Sequence, residues 1–164
     1  VRNAIEIAAA MELSEKELAL LLIAAWFHDA GIPTVYHGHE KESCAILRRH
    51  FEDALTKGEL NLTQGAILST EIPQHARNTF EQILCDADLL YLGGNDFFRW
   101  SDQLREEHGA VLDRYYSNLE WIDHNLHFVE RHRYYTPYAR EQLASGLEWN
   151  ITLLRERRER MAGN

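Results

Sequence analysis

Apolar positions recur at helical spacing along nearly the whole chain, and the polar residues between them mark where helices begin and end. Val1, Ile5, Ala8 and Ala9 already keep that spacing with no capping residue ahead of them, which predicts a first helix cut short on its N-terminal side. Ser14-Glu-Lys-Glu17 reads as a capping box, in which the serine caps the helix and Glu17 returns the hydrogen bond. It opens a second, strongly apolar helix whose predicted core face carries Leu18, Leu21, Leu22, Ala25 and Asp29, and which Gly31 and Pro33 stop. A third helix is predicted from about His39 to Leu55 and a shorter one from Leu62 to Thr70, closed by Pro73. The fifth runs from Phe80 to Leu92 and ends at Gly93-Gly94. Stretches over about 96–116, 118–131 and 137–160 supply the rest. No convincing alternating strand, internal repeat or low-complexity linker interrupts them. The predicted fold is all-α: a single helical-bundle domain over 1–164 with an exposed helix end over about 155–164.

Composition narrows the class. The chain has 164 residues, of which 45% are hydrophobic and 26% charged, as in an ordinary globular protein. No apolar run approaches the length of a membrane span, and no signal peptide is visible. A formal net charge of −9 argues against general nucleic-acid binding, which demands clustered Lys and Arg, yet leaves room for a local phosphate site. The run Arg155-Glu-Arg-Arg-Glu-Arg160 reads as a solvated helix end whose cations suit the dipole. Cys44 and Cys85 have no metal-ligand spacing and read as core thiols of a reducing, cytoplasmic setting.

Against that background His28-Asp29, at the end of the apolar second helix, stands out. A carboxylate on a core face is costly unless it is paired, hydrogen-bonded or bound to a metal. Imidazole beside carboxylate is also a good divalent chelate. A second pair of carboxylates, Asp86 and Asp88, lies within the apolar run Ile83 to Gly93. Residues two apart diverge around a helix, and the leucines four positions either side of Asp88 make it the one expected to be buried. The bland alternative is that either aspartate pairs with an arginine or caps a neighbouring helix.

The ordered set Trp26-Phe-His-Asp-Ala-Gly31, His39-Glu-Lys-Glu-Ser43, Ile67-Leu-Ser-Thr70 and Cys85-Asp-Ala-Asp-Leu resembles the HD superfamily of metal-dependent phosphohydrolases. The run Phe128-Val-Glu-Arg-His-Arg-Tyr-Tyr-Thr136 looks like that of a bacterial subgroup, so the resemblance spans residues 1 to about 155. It implies a helical fold in which His, His-Asp and Asp from separate helices hold one divalent ion. His28, Asp29 and Asp88 would then be ligands, with Asp86 the runner-up. No histidine precedes His28, and the resemblance implies that the family's first histidine lies just ahead of Val1.

The resemblance also implies catalytic parts for Asp29 and His39. His39, Lys41, His75 and Arg77 are candidates for substrate phosphate or, in the case of the histidines, a second metal. For His39 an exposed helix-start residue is the equal alternative, and exposure is the default for Lys41 and Arg77. Glu40 reads as solvated or as a carboxylate orienting a histidine. His132 reads as a structural hydrogen-bonder, and His50, His108, His124 and His127 as surface or packing residues. The expected chemistry is hydrolysis of a phosphomonoester or phosphodiester, plausibly of a nucleotide, with Mn, Mg, Fe or Zn. A small nucleotide-like phosphate is the expected partner. The alternatives are a catalytically degenerate nucleotide-binding or regulatory module, and a structural domain whose His-Asp pair only caps a helix.

Overall fold

The computed structural model describes residues 1–163, and among these the secondary structure is helical with no strand. Asn164, the last residue of the expected exposed helix end, lies outside the described residues. None of the described helices is long and apolar enough to cross a membrane. The residues cluster into two compact units, Val1–Leu89 with Tyr135–Tyr138, and Leu90–Tyr134 with Ala139 onward.

The first unit holds α1 (Arg2–Ala10), α2 (Glu15–Phe27), α3 (His39–Phe51), α4 (Lys57–Ser69) and α5 (Thr79–Asp88). α4 packs on α2, α3 and α5, while α5 also meets α1 and α2. α5 is buried almost along its length, from Phe80 to Ala87, which makes it the axis of this unit. Capping boxes start both α2 (Ser14 with Glu17) and α4 (Thr56 with Glu59). Lys16 joins the two helices through an ion pair with Glu59 at 2.6 Å.

Several predicted boundaries and faces shift. α1 buries Ala4, Ile7 and Ala8, whereas Val1, Ile5 and Ala9 are exposed; its small residues allow more than one reading of the face. α2 buries Leu20, Leu21, Ala24 and Ala25, so its inward face is rotated from the expected one. A helix apolar on every side has no period to fix its orientation; packing against α4 and α5 decides it. α4 begins at Lys57 rather than Leu62 because the Thr56 box nucleates it earlier. α3 ends at Phe51 rather than Leu55, and α5 ends at Asp88, where a 3₁₀ turn (Leu90–Gly93) takes over.

The second unit contains that turn, α6 (Phe97–Leu112), α7 (Asn118–Val129) and α8 from Ala139 on, α8 as a whole being Pro137–Ala162. Three of its buried side chains, Trp121, Ser101 and Asn125, form one hydrogen-bonded cluster. The Trp121 indole N–H donates to Ser101 Oγ at 2.9 Å, Ser101 meets Asn125 Oδ1 at 2.9 Å, and Asn125 Nδ2 donates to the Trp121 carbonyl at 2.7 Å. Three C-terminal arginines are spent inside the unit: Arg155 on Glu130, Arg158 on Asp123, and Arg157 over the Phe98 ring. That use of charge supports a helix end tethered to its own unit rather than a nucleic-acid patch.

Candidate metal centre

The site is built where α2 ends and α3 begins. His28 is the C-cap of α2, and the chain then turns through residues 29–38 into α3. Gly38 enters α3 with φ +73°, a left-handed conformation that glycine adopts without a Cβ clash. Ser43, fully buried on α3, ties the turn down: its Oγ accepts the Gly31 N–H at 2.9 Å and donates to the His28 carbonyl at 2.7 Å. Gly31 is required there, because a Cβ would collide with the His39 carbonyl oxygen and sit 2.9 Å from Ser43 N. The turn and the start of α3 are thereby fixed to each other.

Two histidines project from this frame with matching geometry. His28 Nδ1 lies 3.1 Å from the Ala25 carbonyl, and His39 Nδ1 lies 2.9 Å from the Tyr36 carbonyl. A carbonyl only accepts, so both Nδ1 atoms carry hydrogen and both Nε2 atoms face the site. His28 Nε2 is 3.1 Å from Asp29 Oδ2 and 3.4 Å from Asp88 Oδ1. His39 Nε2 is 3.2 Å from Asp29 Oδ1 and 3.6 Å from Glu40 Oε1. The Asp29 carboxylate therefore gives one oxygen to each histidine. Burial opposes a charge on His28, but hydrogen bonding to Asp88, the charges of Asp88 and Asp29 and the Ala25 carbonyl outweigh it and raise its pKa.

The expected burial of the aspartates needs two corrections. Asp29 is on the rim, with 51% of its side chain exposed, while His28 at 19% is the inward member of the pair. Helix α2 stops at Phe27, so Asp29 leaves the helical spacing that assigned it to the core. Within α5 the order is the reverse of the expected one: Asp86 is 0% exposed and the Asp88 side chain 26%. Asp86 is spent on structure. Its Oδ1 and Oδ2 accept the N–H groups of Tyr135 and Thr136 at 2.8 and 2.7 Å, anchoring the segment that leads into α8. The bland alternative, a carboxylate at a neighbouring helix start, describes Asp86.

The remaining candidates separate. His75 and Arg77 line a cleft of about 430 Å³ between α4 and α5 with Glu71, Ile72 and Glu81, and none of His28, Asp29, His39 or Asp88 borders it. Lys41 is exposed on α3. Glu40, read from sequence as more plausibly solvated, is buried. Glu40, Ser43, Cys44 and Leu47 form the buried face of α3 at i, i+3, i+4, i+7, a period legible in the sequence that identifies the glutamate as inward-facing. Gln74 is a second residue the sequence did not single out. Its Nε2 donates to the Cys85 carbonyl at 3.2 Å and approaches Asp88 Oδ2 at 3.4 Å, and its own carbonyl accepts the Tyr135 hydroxyl at 2.7 Å. It holds Asp88 at the end of α5.

The donors suit a divalent cation in chemistry and in pairwise spacing. Bonds of about 2.1 Å place neighbouring ligand atoms roughly 3.0–3.4 Å apart, the range of the His28 contacts. An Nε2 that faces carboxylate oxygens needs positive charge between them, which a ring proton or a metal ion can each supply. Among the described residues, however, no three His, Cys, Asp or Glu side chains are already gathered about one ion position. The donors touch in pairs instead.

No curated protein and no solved structure matched the chain. A family model described as HD domain matches residues 1–93, more than half of the chain, from α1 through the 3₁₀ turn. That span contains every donor described above. The chain belongs to the HD domain family, a family that is in general one of metal-dependent phosphohydrolases.

Proposed function

We propose that the protein hydrolyses phosphate esters, a phosphomonoester or phosphodiester of nucleotide-like kind, at the His28–Asp29–Asp88 centre. One observation carries this reading. His28, its Nδ1 committed to the Ala25 carbonyl, presents Nε2 to carboxylates from two different segments, Asp29 and Asp88. His28, Asp29 and Asp88 would hold Mn, Mg, Fe or Zn, and the chemistry such an ion supplies is a more acidic bound water and a polarised phosphoryl oxygen.

Around that centre the chain's own residues have distinct parts. Asp29, half exposed, would accept a hydrogen bond from an incoming water. His39 contributes a nitrogen on the solvent-accessible side of Asp29, where a phosphoryl oxygen would approach. Lys41 can add positive charge from the first turns of α3. His75 and Arg77 belong to a separate cleft, and any contact they make with substrate is to its distal part. Cys44 and Cys85 are free and buried, which accords with a cytoplasmic protein.

The test is hydrolysis of p-nitrophenyl phosphate, bis-p-nitrophenyl phosphate and a nucleotide panel with Mn²⁺. The expected result is turnover of at least one class, abolished in His28→Ala and Asp88→Ala. No turnover of any substrate, or an Asp88→Ala variant as active as the parent, would contradict the proposal.

A further inference from the structure

The run Phe128 to Thr136 has no part in the centre proposed above, and it lies beyond the residues matched to the HD domain family. Within the second unit, its residues 130–134 form one wall of a cleft of about 860 Å³, against about 430 Å³ for the cleft at His75 and Arg77. One face of α8 forms the other wall, with Arg140, Leu147, Ile151 and Arg155 recurring at i, i+7, i+11 and i+15. No residue of the His28–Asp29–Asp88 centre lines this cleft.

The first wall is held in place. Tyr134 is buried, and its hydroxyl accepts the Gly93 N–H at 2.9 Å. Arg133 Nη1 donates to the carbonyls of Glu130 and His132 at 2.8 and 2.6 Å, and Arg140 Nε donates to the Tyr134 carbonyl at 2.8 Å. Main-chain oxygens therefore orient both guanidiniums, and neither has an ion-pair partner among the described residues. Both arginines are solvent-exposed, so a ligand can reach them. Arg155, by contrast, is neutralised by Glu130 at 2.7 Å. Two oriented guanidiniums without a carboxylate stand out in a chain of net charge −9.

A pair of guanidiniums matches the oxygens of a phosphate. Leu147, 7% exposed, and Ile151 add apolar surface to the cleft, as sites for organic ligands have. Glu148 also lines it, eight residues from Arg140 and so about 12 Å further along the helix. A carboxylate there accepts hydrogen bonds from amino or hydroxyl groups at the far end of a ligand. Phosphate, apolar-faced body and distal donors, in that order, describe a nucleotide. We propose that this cleft binds a nucleoside monophosphate, with its phosphate on Arg133 and Arg140 and its base along Leu147 and Ile151 toward Glu148. The site is separate from the metal centre, and the inference does not rest on the phosphohydrolase reading.

The experiment titrates AMP into the purified chain in EDTA, by calorimetry, so that a metal-dependent site is silent. One equivalent is expected to bind, at least tenfold more weakly in Arg133→Gln and in Arg140→Gln and with unchanged affinity in Asp88→Ala. Adenosine and inorganic phosphate should each bind at least tenfold more weakly than AMP. Phenylglyoxal labelling of the unmutated chain, read by mass spectrometry, covers a variant that does not fold: AMP should shield Arg133 and Arg140 but not Arg160. No AMP binding in EDTA, full affinity in both arginine variants, or shielding that spares both arginines would overturn the proposal. Inorganic phosphate or adenosine bound as tightly as AMP would overturn it too. Binding lost in Asp88→Ala and kept in the arginine variants would move AMP to the metal centre, overturning this site and leaving the phosphohydrolase reading standing.

Discussion

Replacing Asp86 separates a structural carboxylate from a ligand. Asp86 is fully buried and accepts two main-chain N–H groups, from Tyr135 at 2.8 Å and from the fully buried Thr136 at 2.7 Å. Hydrogen bonds to a charged group contribute about 1.5–3 kcal/mol each, and a buried donor left without an acceptor costs about 1–3 kcal/mol. Asp86→Ala strips the acceptor from one fully buried and one part-buried donor, so the expected loss is about 3–5 kcal/mol. For a chain of this size, at about 2–4 °C per kcal/mol, that lowers the thermal midpoint by roughly 10 °C. Asp86→Asn keeps one acceptor but sets an NH₂ against the other N–H, and should lose somewhat less. Urea and thermal unfolding measure both variants, and Mn²⁺ titration of the fraction that remains folded should show binding intact. A loss below about 1 kcal/mol, or stability kept while metal binding disappears, would refute the assignment of Asp86 to structure.

Other positions give sharper local tests. Ser43→Ala removes the hydroxyl between the Gly31 N–H and the His28 carbonyl, so it should cost about 1–3 kcal/mol and weaken Mn²⁺ binding as the turn loosens, read by unfolding and titration. Glu59 is held down to about 2 by its hydrogen bond to Lys16 and by its bonds to Thr56, so its contribution is complete above the ordinary value of 4.5 and is lost as pH falls toward 2. Glu59→Gln, which keeps a capping side chain, should therefore lower stability at pH 7 and match the parent near pH 2 in pH-resolved unfolding. Burial pushes the thiols of Cys44 and Cys85 up to about 11 and about 12, so iodoacetamide at pH 8 should label neither until denaturant is added, as mass spectrometry would show.

The helices were legible because their punctuation is local. Ser14-x-x-Glu17 marks the start of α2, and the same logic at Thr56-x-x-Glu59 marks α4, although the apolar run from Leu62 drew the boundary too late. Orientation was less legible. α2 is apolar all round, so only its packing partners select Leu20, Leu21, Ala24 and Ala25 as the inward face. The His-Asp pair and Asp88 could be found from residue type and order, but their burial could not, because Asp29 lies past the helix end and Asp88 lies at one. Asp86 shows the limit most clearly. What satisfies it is the main chain of Tyr135 and Thr136, some fifty residues away, and main-chain donors leave no residue-type signature. Glu40 was the opposite case, its buried period present in α3 but outweighed by the expectation that a glutamate is solvated.

The central claim is that His28, Asp29 and Asp88 hold a divalent ion. Anomalous diffraction at the manganese edge from a Mn²⁺-soaked crystal tests it most directly. The account predicts a peak about 2.1 Å from His28 Nε2 and from oxygens of Asp29 and Asp88. Peaks confined to other residues, Asp86 included, or no peak at this trio, would contradict it.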